Sequence, residues 1–446
     1  MCLQEIKMKT IKAIPQMVKM SGWNAILPER TPFPALEGQH NFDWVVIGAG
    51  YAGLSAARRI AEHNPDQSVA LVEAFEIGEN ASGKNAGFAI DLPHYAGKSE
   101  IEKNKAMEEI KLYRYGIQIL DKLISKHQIQ CDWQKQGRFH AAVAHDVGGE
   151  ILKDYRKSIE SWGEDFEYYE KKALYQLLGT EYYSSAVYTS GTYLLNPAAL
   201  VRGLAGSLPN NVTVFENSPV IEFDLESDQK YIRTQKGMIR LGKAIITINA
   251  FLQKWGFYKN RQIPIVLYAS LTAPLSSKEV NKLGELDNWG ITPAHNTGGC
   301  TVRLTQDQRI LMRHGFNLSP NLTESLHTLD VAKNKHNQLI KQRFPKIEFN
   351  IEHTWMGWLS LSANNAPIFG KINPDVFVAS CCNGTGIVRH TVAGTLISDY
   401  AMNITNDYTS IYLADGTSSL VPPRPFLDLG FKLKLFLDRK NILKEE

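Results

Sequence analysis

The chain has 446 residues, 43% hydrophobic and 21% charged, which is too long for one compact core and ordinary for a globular protein built as two units. Its 49 Lys and Arg against 46 Asp and Glu leave a net charge of +3, so there is no electrostatic footprint for nucleic acid. No apolar run reaches the roughly 18 residues of a membrane span, and the lysine-bearing N-terminus lacks the continuous apolar stretch of a signal peptide; Met20 is an alternative start to Met1.

Residues 21–41 carry Pro28, Pro32 and Pro34 and read as an extended lead-in. Residues 43–48, DWVVIG, form an apolar run of buried-strand length. Residues 54–63 read as a helix broken by Asn64, Pro65 and Asp66, and residues 68–73, SVALVE, as a second buried strand. A long helix is predicted over 99–128, where Ile110, Tyr113, Ile117, Leu120 and Ile124 form one apolar stripe, and another over 149–163. Pro197 opens a helix that carries Leu200 and Leu204. Strands follow at 212–215, 220–225 and 243–249, with a hairpin around Lys236 and Gly237. The late chain reads as a helix over 326–343, a buried strand over 376–381 and a last helix over 387–402. The ends are thus α/β and the middle is mixed, so the domains are expected to be discontinuous.

Gly48-Ala49-Gly50-Tyr51-Ala52-Gly53 matches G-x-G-x-x-G between a strand and a helix. The first glycine permits the tight turn, the second lets backbone approach a pyrophosphate, and the third lets helix and strand pack closely. Helix N–H groups and the positive end of the macrodipole then meet the phosphates. Glu73, followed by Ala74, ends the next strand where an acid accepts ribose hydroxyls, and its charge repels a 2′-phosphate. FAD or NAD remain. The small, polar loop with Ser82, Gly83, Asn85, Ala86 and Gly87 suits close approach to the second half of an extended dinucleotide. A second glycine turn, Gly384-Thr385-Gly386-Ile387, aims a helix N-terminus where a flavin gathers negative charge on reduction. Together these favour FAD.

The strings IGENASGKNAGF, LLNPAALVRGLA, ITINAF, WMGWLSLSANNAPIFG and NGTGIVRHTVAG resemble the D-amino-acid-oxidase/sarcosine-oxidase-like (DAO) family of FAD-dependent oxidoreductases, most of all its γ-glutamylputrescine oxidoreductase branch. The likeness runs from about residue 21 onward. It implies a Rossmann-like FAD-binding domain interleaved with an α+β substrate domain built on an antiparallel sheet. The expected division is an N-terminal extension over 1–40, an FAD-binding domain from 41–98, 181–258 and 355–402, a substrate domain from 99–180 and 259–354, and a tail over 403–446. The resemblance further implies that residues 82–87 run along the ribityl chain and flavin ring, that Val220 contacts the adenine end, that Asn249 and Ala250 line the pyrophosphate side, and that residues 384–387 approach the pyrimidine edge.

Departures from the family shape the chemistry expected. The sarcosine-oxidase branch carries its covalent cysteine near the position of Trp355, and no cysteine lies between Cys300 and Cys381, so the FAD is expected to be noncovalent. Val388 and Gly384 stand where relatives place basic carboxylate anchors, which favours an amine or a γ-glutamyl-type conjugate over a free α-amino acid. The expected reaction takes a C–N bond to an imine that hydrolyses, with O2 or another acceptor. Candidate catalytic residues are Tyr268, Trp355 and Trp358 as aromatic walls and Arg303 as carboxylate anchor, with Arg309 and Arg313 as alternatives to Arg303; His94, Tyr95, Arg389 and His390 are weaker candidates. Transfer of electrons to a membrane quinone and a non-catalytic flavin protein are the competing readings.

Five cysteines, odd in number and without a CxxC pair, argue for reduced thiols in the cytoplasm, with Cys381 and Cys382 as small buried side chains. The histidines show no metal-ligand spacing, so no metal is expected. The tail over 421–446 mixes Phe426, Leu429, Leu433, Phe436 and Leu437 with basic residues; a helix packed across the flavin domain is preferred to one lying on a membrane.

Overall fold

The computed structural model describes residues 9–11, 13–16, 19–94, 99–323, 325–414 and 416–446. Five parallel strands form the heart of the first sheet, in the order Val212–Phe215, Val69–Val72, Gly38–Ile47, Gly237–Ile246 and Val376–Ser380. Val69–Val72, Val376–Ser380 and the C-terminal halves of Gly38–Ile47 and Gly237–Ile246 are buried runs, covered on both faces as a parallel sheet requires. On one face, the helices Tyr51–His63, Glu100–His127 and Gly386–Ala401 bury Leu54, Ile60, Leu120, Val392 and Leu396 against Val46 and Leu71. On the other, Val45, Ile47, Val376 and Val378 pack with Phe223 and Trp255.

The second sheet has eight strands, in the order Ile351–Leu361, Ile263–Thr272, Ile310–Leu318, Thr301–Leu304, Trp289–Pro293, Arg138–Ala142, Ser185–Thr189 and Glu167–Glu170. All its pairs are antiparallel except Trp289–Pro293 with Arg138–Ala142. Alternation divides its faces. Val302, Leu304, Ile310 and Met312 pack outward with Leu339, Ile340 and Phe344, while Leu311 packs on the side of Trp23 and Trp355. This sheet is the roof over the C-terminal ends of the parallel strands.

Three placements differ from the sequence expectation. Strand Ile351–Leu361 runs whole in the roof, so the stretch from 355 to 361, expected in the flavin-binding unit, is roof; so is Ser185–Thr189. Helix Glu100–His127, expected in the substrate unit, packs on the flavin side, because its Leu112, Tyr113 and Leu120 stripe meets helix Gly386–Ala401 there. Within the expected lead-in, Gly22–Ala25 is a short helix capped by Ser21, with Trp23 and Asn24 buried.

The last helix of the chain, Phe426–Glu445, packs on the roof unit instead of across the flavin domain. Its Phe431 ring stands edge-on to Phe316 at 5.8 Å. Its far end is held by the buried Glu445 carboxylate, which accepts the backbone N–H groups of Val143, Ala144 and Gly148 at 2.9–3.0 Å. No helix among the described residues is long and apolar enough to cross a membrane.

Candidate active site

A cavity of about 950 Å³ lies between the C-terminal ends of the parallel strands and the roof. This is the crevice where open α/β sheets bind ligands. The strand ends deliver Ile47, Val72 and Thr247 to it, and the first glycine turn closes one side. Gly48 sits at φ +100°, open to glycine alone at low cost, and its carbonyl accepts the Thr247 hydroxyl at 2.9 Å. A Cβ on Gly53 would stand 1.7 Å from the Gly48 oxygen, so helix and turn touch here through backbone. A Cβ on Gly50 would instead enter open space, with Ser82 its nearest neighbour at 3.8 Å. Glu73 accepts the N–H groups of Ala49 at 2.8 Å and Phe75 at 3.2 Å and borders the cavity with Ala74. Burial pushes its carboxyl upward against the pull of those N–H groups.

The loop that follows is held from behind by five side chains, each donating to one of its carbonyls. Asn24 Nδ2 donates to Gly78 at 2.9 Å, Ser21 Oγ to Gly83 at 3.0 Å and Trp355 Nε1 to Lys84 at 3.0 Å. Trp23 Nε1 donates to Asn85 at 2.8 Å, and Arg303 to Gly87 at 3.1 Å. In a trans peptide the next N–H points the opposite way, so the Lys84 and Asn85 carbonyls, tied to the buttress, turn the amides of Asn85 and Ala86 away from it, and both residues line the cavity. Asn85 completes the loop by accepting the Gly87 N–H at 2.9 Å. Ser82, Asn85 and Ala86 line the cavity; Gly83 and Gly87 lie in the layer behind.

Val220, Asn249 and Ala250 line the first-sheet side, and Gly384, Thr385, Gly386 and Ile387 line the opposite end at the start of helix Gly386–Ala401. Val388 is a buried residue of this helix, and Arg389 and His390 reach the cavity. Two polar atoms of residues lining the space, Asn249 Oδ1 and His390 Nε2, are buried without a hydrogen-bond partner among the described residues. Buried polar atoms without partners call for one. With the open face of Gly50 and the amides of the loop, they fit a dinucleotide with a polar ring.

The four sequence candidates for catalysis separate. Tyr268 and Trp358 line the cavity from the roof; the Tyr268 hydroxyl accepts from Asn317 at 3.0 Å, and Trp358 donates to Ser319 at 3.2 Å. Trp355 and Arg303 do not reach it. Both sit behind the loop, where Arg303 also donates to the Leu195 carbonyl at 2.6 Å and its guanidinium lies 5.3 Å from the Trp23 ring centre. Arg309 is taken by Asp307 and Glu352 at the sheet edge. Arg313 does line the cavity, donating to Thr301 Oγ1 at 2.7 Å and pairing with no carboxylate among the described residues. His94 lines the same end, bonded to Arg138 at 2.7 Å, and Tyr95 lies outside the described residues.

Sequence reading passed over Lys84, which lines the cavity inside the loop and whose ammonium burial pulls down to about 8 against Glu79. A lone lysine among glycine, serine and asparagine was the available signal. Cys382 also lines the cavity, its thiol raised by burial; Cys131, Cys300, Cys381 and Cys382 are all free.

If Arg303 holds the loop, Arg303→Met takes the side-chain donor from the buried Leu195 carbonyl and leaves the Gly87 carbonyl with the Leu195 N–H alone, at roughly 1–3 kcal/mol. FAD binding should weaken by about tenfold or more, with the substrate KM of the FAD-saturated variant unchanged. A variant with native FAD affinity and a raised KM would return Arg303 to the substrate.

Fold and site define a flavin-dependent oxidoreductase. Residues 43–400 match the model of the DAO family, described as FAD dependent oxidoreductase, and the chain belongs to that family. It is 26% identical over 424 residues to the probable oxidoreductase OrdL of Haemophilus influenzae, covering 91% of this chain and 94% of that protein. It is 25% identical over 382 residues to the γ-glutamylputrescine oxidoreductase of Escherichia coli, covering 82% and 85%. Among solved structures it resembles glycine oxidase from Geobacillus kaustophilus, with a TM-score of 0.70 at 16% identity over 86% of this chain and all of that one. It also resembles L-amino acid deaminase from Proteus myxofaciens, with a TM-score of 0.64 at 15% identity over 92% and 99%.

Proposed function

We propose that this enzyme oxidises the C–N bond of a primary or secondary amine whose carboxylate lies far from the reacting carbon, as in a γ-glutamyl polyamine. The observation that carries this is Arg313: a half-buried guanidinium in the cavity roof that pairs with no carboxylate among the described residues. Charge in so enclosed a place calls for a counter-ion, and an arginine fork matches a carboxylate. The γ-glutamylputrescine oxidoreductase relative supports the same class.

FAD, when bound, supplies the two-electron acceptor for hydrogen leaving the carbon that bears nitrogen. The glycine turns and Glu73 would hold it, noncovalently, so acid precipitation should free all the flavin. Tyr268, Trp358 and Phe251 wall the space and exclude water. The histidines beside it are kept uncharged. Burial, then the charge of Arg138, holds His94 well below its ordinary value; burial, then Arg389, holds His390 at about 4. The same environment disfavours an ammonium and favours the neutral amine, whose nitrogen lone pair drives the oxidation. The imine then takes up water and splits into a carbonyl compound and an amine. Buried free thiols agree with the cytoplasm as the site of action.

Anaerobic mixing with γ-glutamyl amines should bleach the flavin. The rate should climb with pH as the amine, with a pKa near 10 in water, loses its proton, and show no inflection near 6.5. Bleaching by free α-amino acids alone would overturn the substrate reading, and an inflection near 6.5 would make His94 or His390 a titrating participant. Peroxide release in air identifies O2 as the acceptor; its absence favours a membrane acceptor.

A further inference from the structure

Helix Phe426–Glu445 has two apolar faces. Leu427, Phe431 and Leu435 turn inward and line the exposed end of the cavity with Pro422. On the opposite side Leu429, Leu433, Phe436 and Leu437 are 53–73% exposed, while Phe426 stands at the rim of the cavity. Those four recur at the three- and four-residue steps of one helical face. A contiguous exposed apolar stripe marks an interaction site.

Charge identifies the partner. Helical spacing places Lys432 and Arg439 along one border of the stripe and Lys440 within its last turns, while Lys434 stands at the cavity rim. None of the four makes an ion pair among the described residues. The acids of the helix are consumed elsewhere: Asp428 by Arg424 at 2.6 Å, Asp438 by His295 at 3.2 Å and Glu445 by three backbone N–H groups. The outward face is therefore apolar and positive.

We propose that this face docks the enzyme on an anionic lipid surface, with the stripe sunk among the acyl chains and the basic side chains reaching the headgroups. The Glu445 anchor makes the helix part of the rigid body, so docking brings the whole molecule to the bilayer with the open end of the cavity beside it. The inference is independent of the substrate reading above.

The test is sedimentation of the full-length FAD-loaded protein with vesicles of phosphatidylcholine, with or without phosphatidylglycerol. Wild type should pellet with the anionic vesicles at low salt, and about tenfold or more weaker with neutral vesicles or high salt. The triple variant Leu433→Ser, Phe436→Ser, Leu437→Ser should partition at least about tenfold less while keeping its flavin. The double variant Lys432→Glu, Arg439→Glu should lose the preference for anionic lipid and provides a second arm if the triple variant loses flavin. The proposal is overturned if wild type stays in the supernatant with anionic vesicles, or if both variants pellet like wild type. It also falls if sedimentation equilibrium shows a dimer that the triple variant dissolves, which would assign the face to a second copy of the chain.

Discussion

Gly53→Ala should yield little folded protein and no yellow colour, whereas Gly50→Ala should fold and stay colourless. The contrast rests on where each new methyl goes. At Gly53 it lands 1.7 Å from the Gly48 carbonyl oxygen and 2.9 Å from the Gly48 carbon. Both are backbone atoms of the turn, and Gly48 is in turn tied to Val72 by its N–H at 2.8 Å and to the Thr247 hydroxyl by its carbonyl at 2.9 Å. The helix must move away from the sheet, and Leu54, Ala57 and Ile60 leave the core with it. Overpacking costs roughly 1–3 kcal/mol even where side chains yield; with backbone on both sides the loss should lie at the top of that range or above. At Gly50 the backbone is extended, φ −80° and ψ −172°, which alanine adopts freely, and its methyl meets nothing closer than Ser82 at 3.8 Å. That methyl fills the path assigned to the pyrophosphate. Thermal unfolding and the flavin-to-protein absorbance ratio separate the two effects. A yellow, stable Gly53→Ala protein would refute the packing argument, and a yellow Gly50→Ala protein would refute the cofactor path.

The first sheet and its glycine turns were legible because the signals are local. A buried parallel strand is a short apolar run, and the turn that follows needs glycine at fixed steps. The roof was harder. Its strands pair across long sequence separations, as when Ile263–Thr272 takes Ile310–Leu318 on one edge and Ile351–Leu361 on the other. Nothing near Trp355 announces that it belongs to that sheet, so the boundary drawn there fell inside a strand. The fates of Arg303 and Arg313 depended on register. Arg303 and Arg313 both face inward, but Arg303 pairs with Leu311 while Arg313 pairs with Thr301. That offset along the strands puts Arg303 over the loop and Arg313 over the cavity. The buttress of Ser21, Trp23 and Asn24 was invisible for another reason. Its donors lie more than fifty residues from their acceptors, in a proline-rich stretch whose four-residue helix is too short to show a period.

Arg313→Gln should raise the KM for a carboxylate-bearing amine by about 10–100-fold and leave a carboxylate-free amine of similar length little affected. A hydrogen bond to a charged group contributes roughly 1.5–3 kcal/mol, about one to two factors of ten in binding. Glutamine keeps a donor for Thr301 and removes the charge, so the roof should stay intact. Burial already depresses the Arg313 guanidinium, opposed by the neighbouring Cys300 sulfur. A charge held in that place gains when a carboxylate pairs with it, and the variant loses that gain at the carboxylate alone. The rate of flavin reduction at saturating substrate should change much less than KM, since the reacting C–N bond lies at the flavin and away from the anchor. Equal losses for amines with and without a carboxylate would make Arg313 a structural member of the roof. A fall in the saturated rate with KM unchanged would place it beside the reacting atoms and remove the remote carboxylate from the substrate.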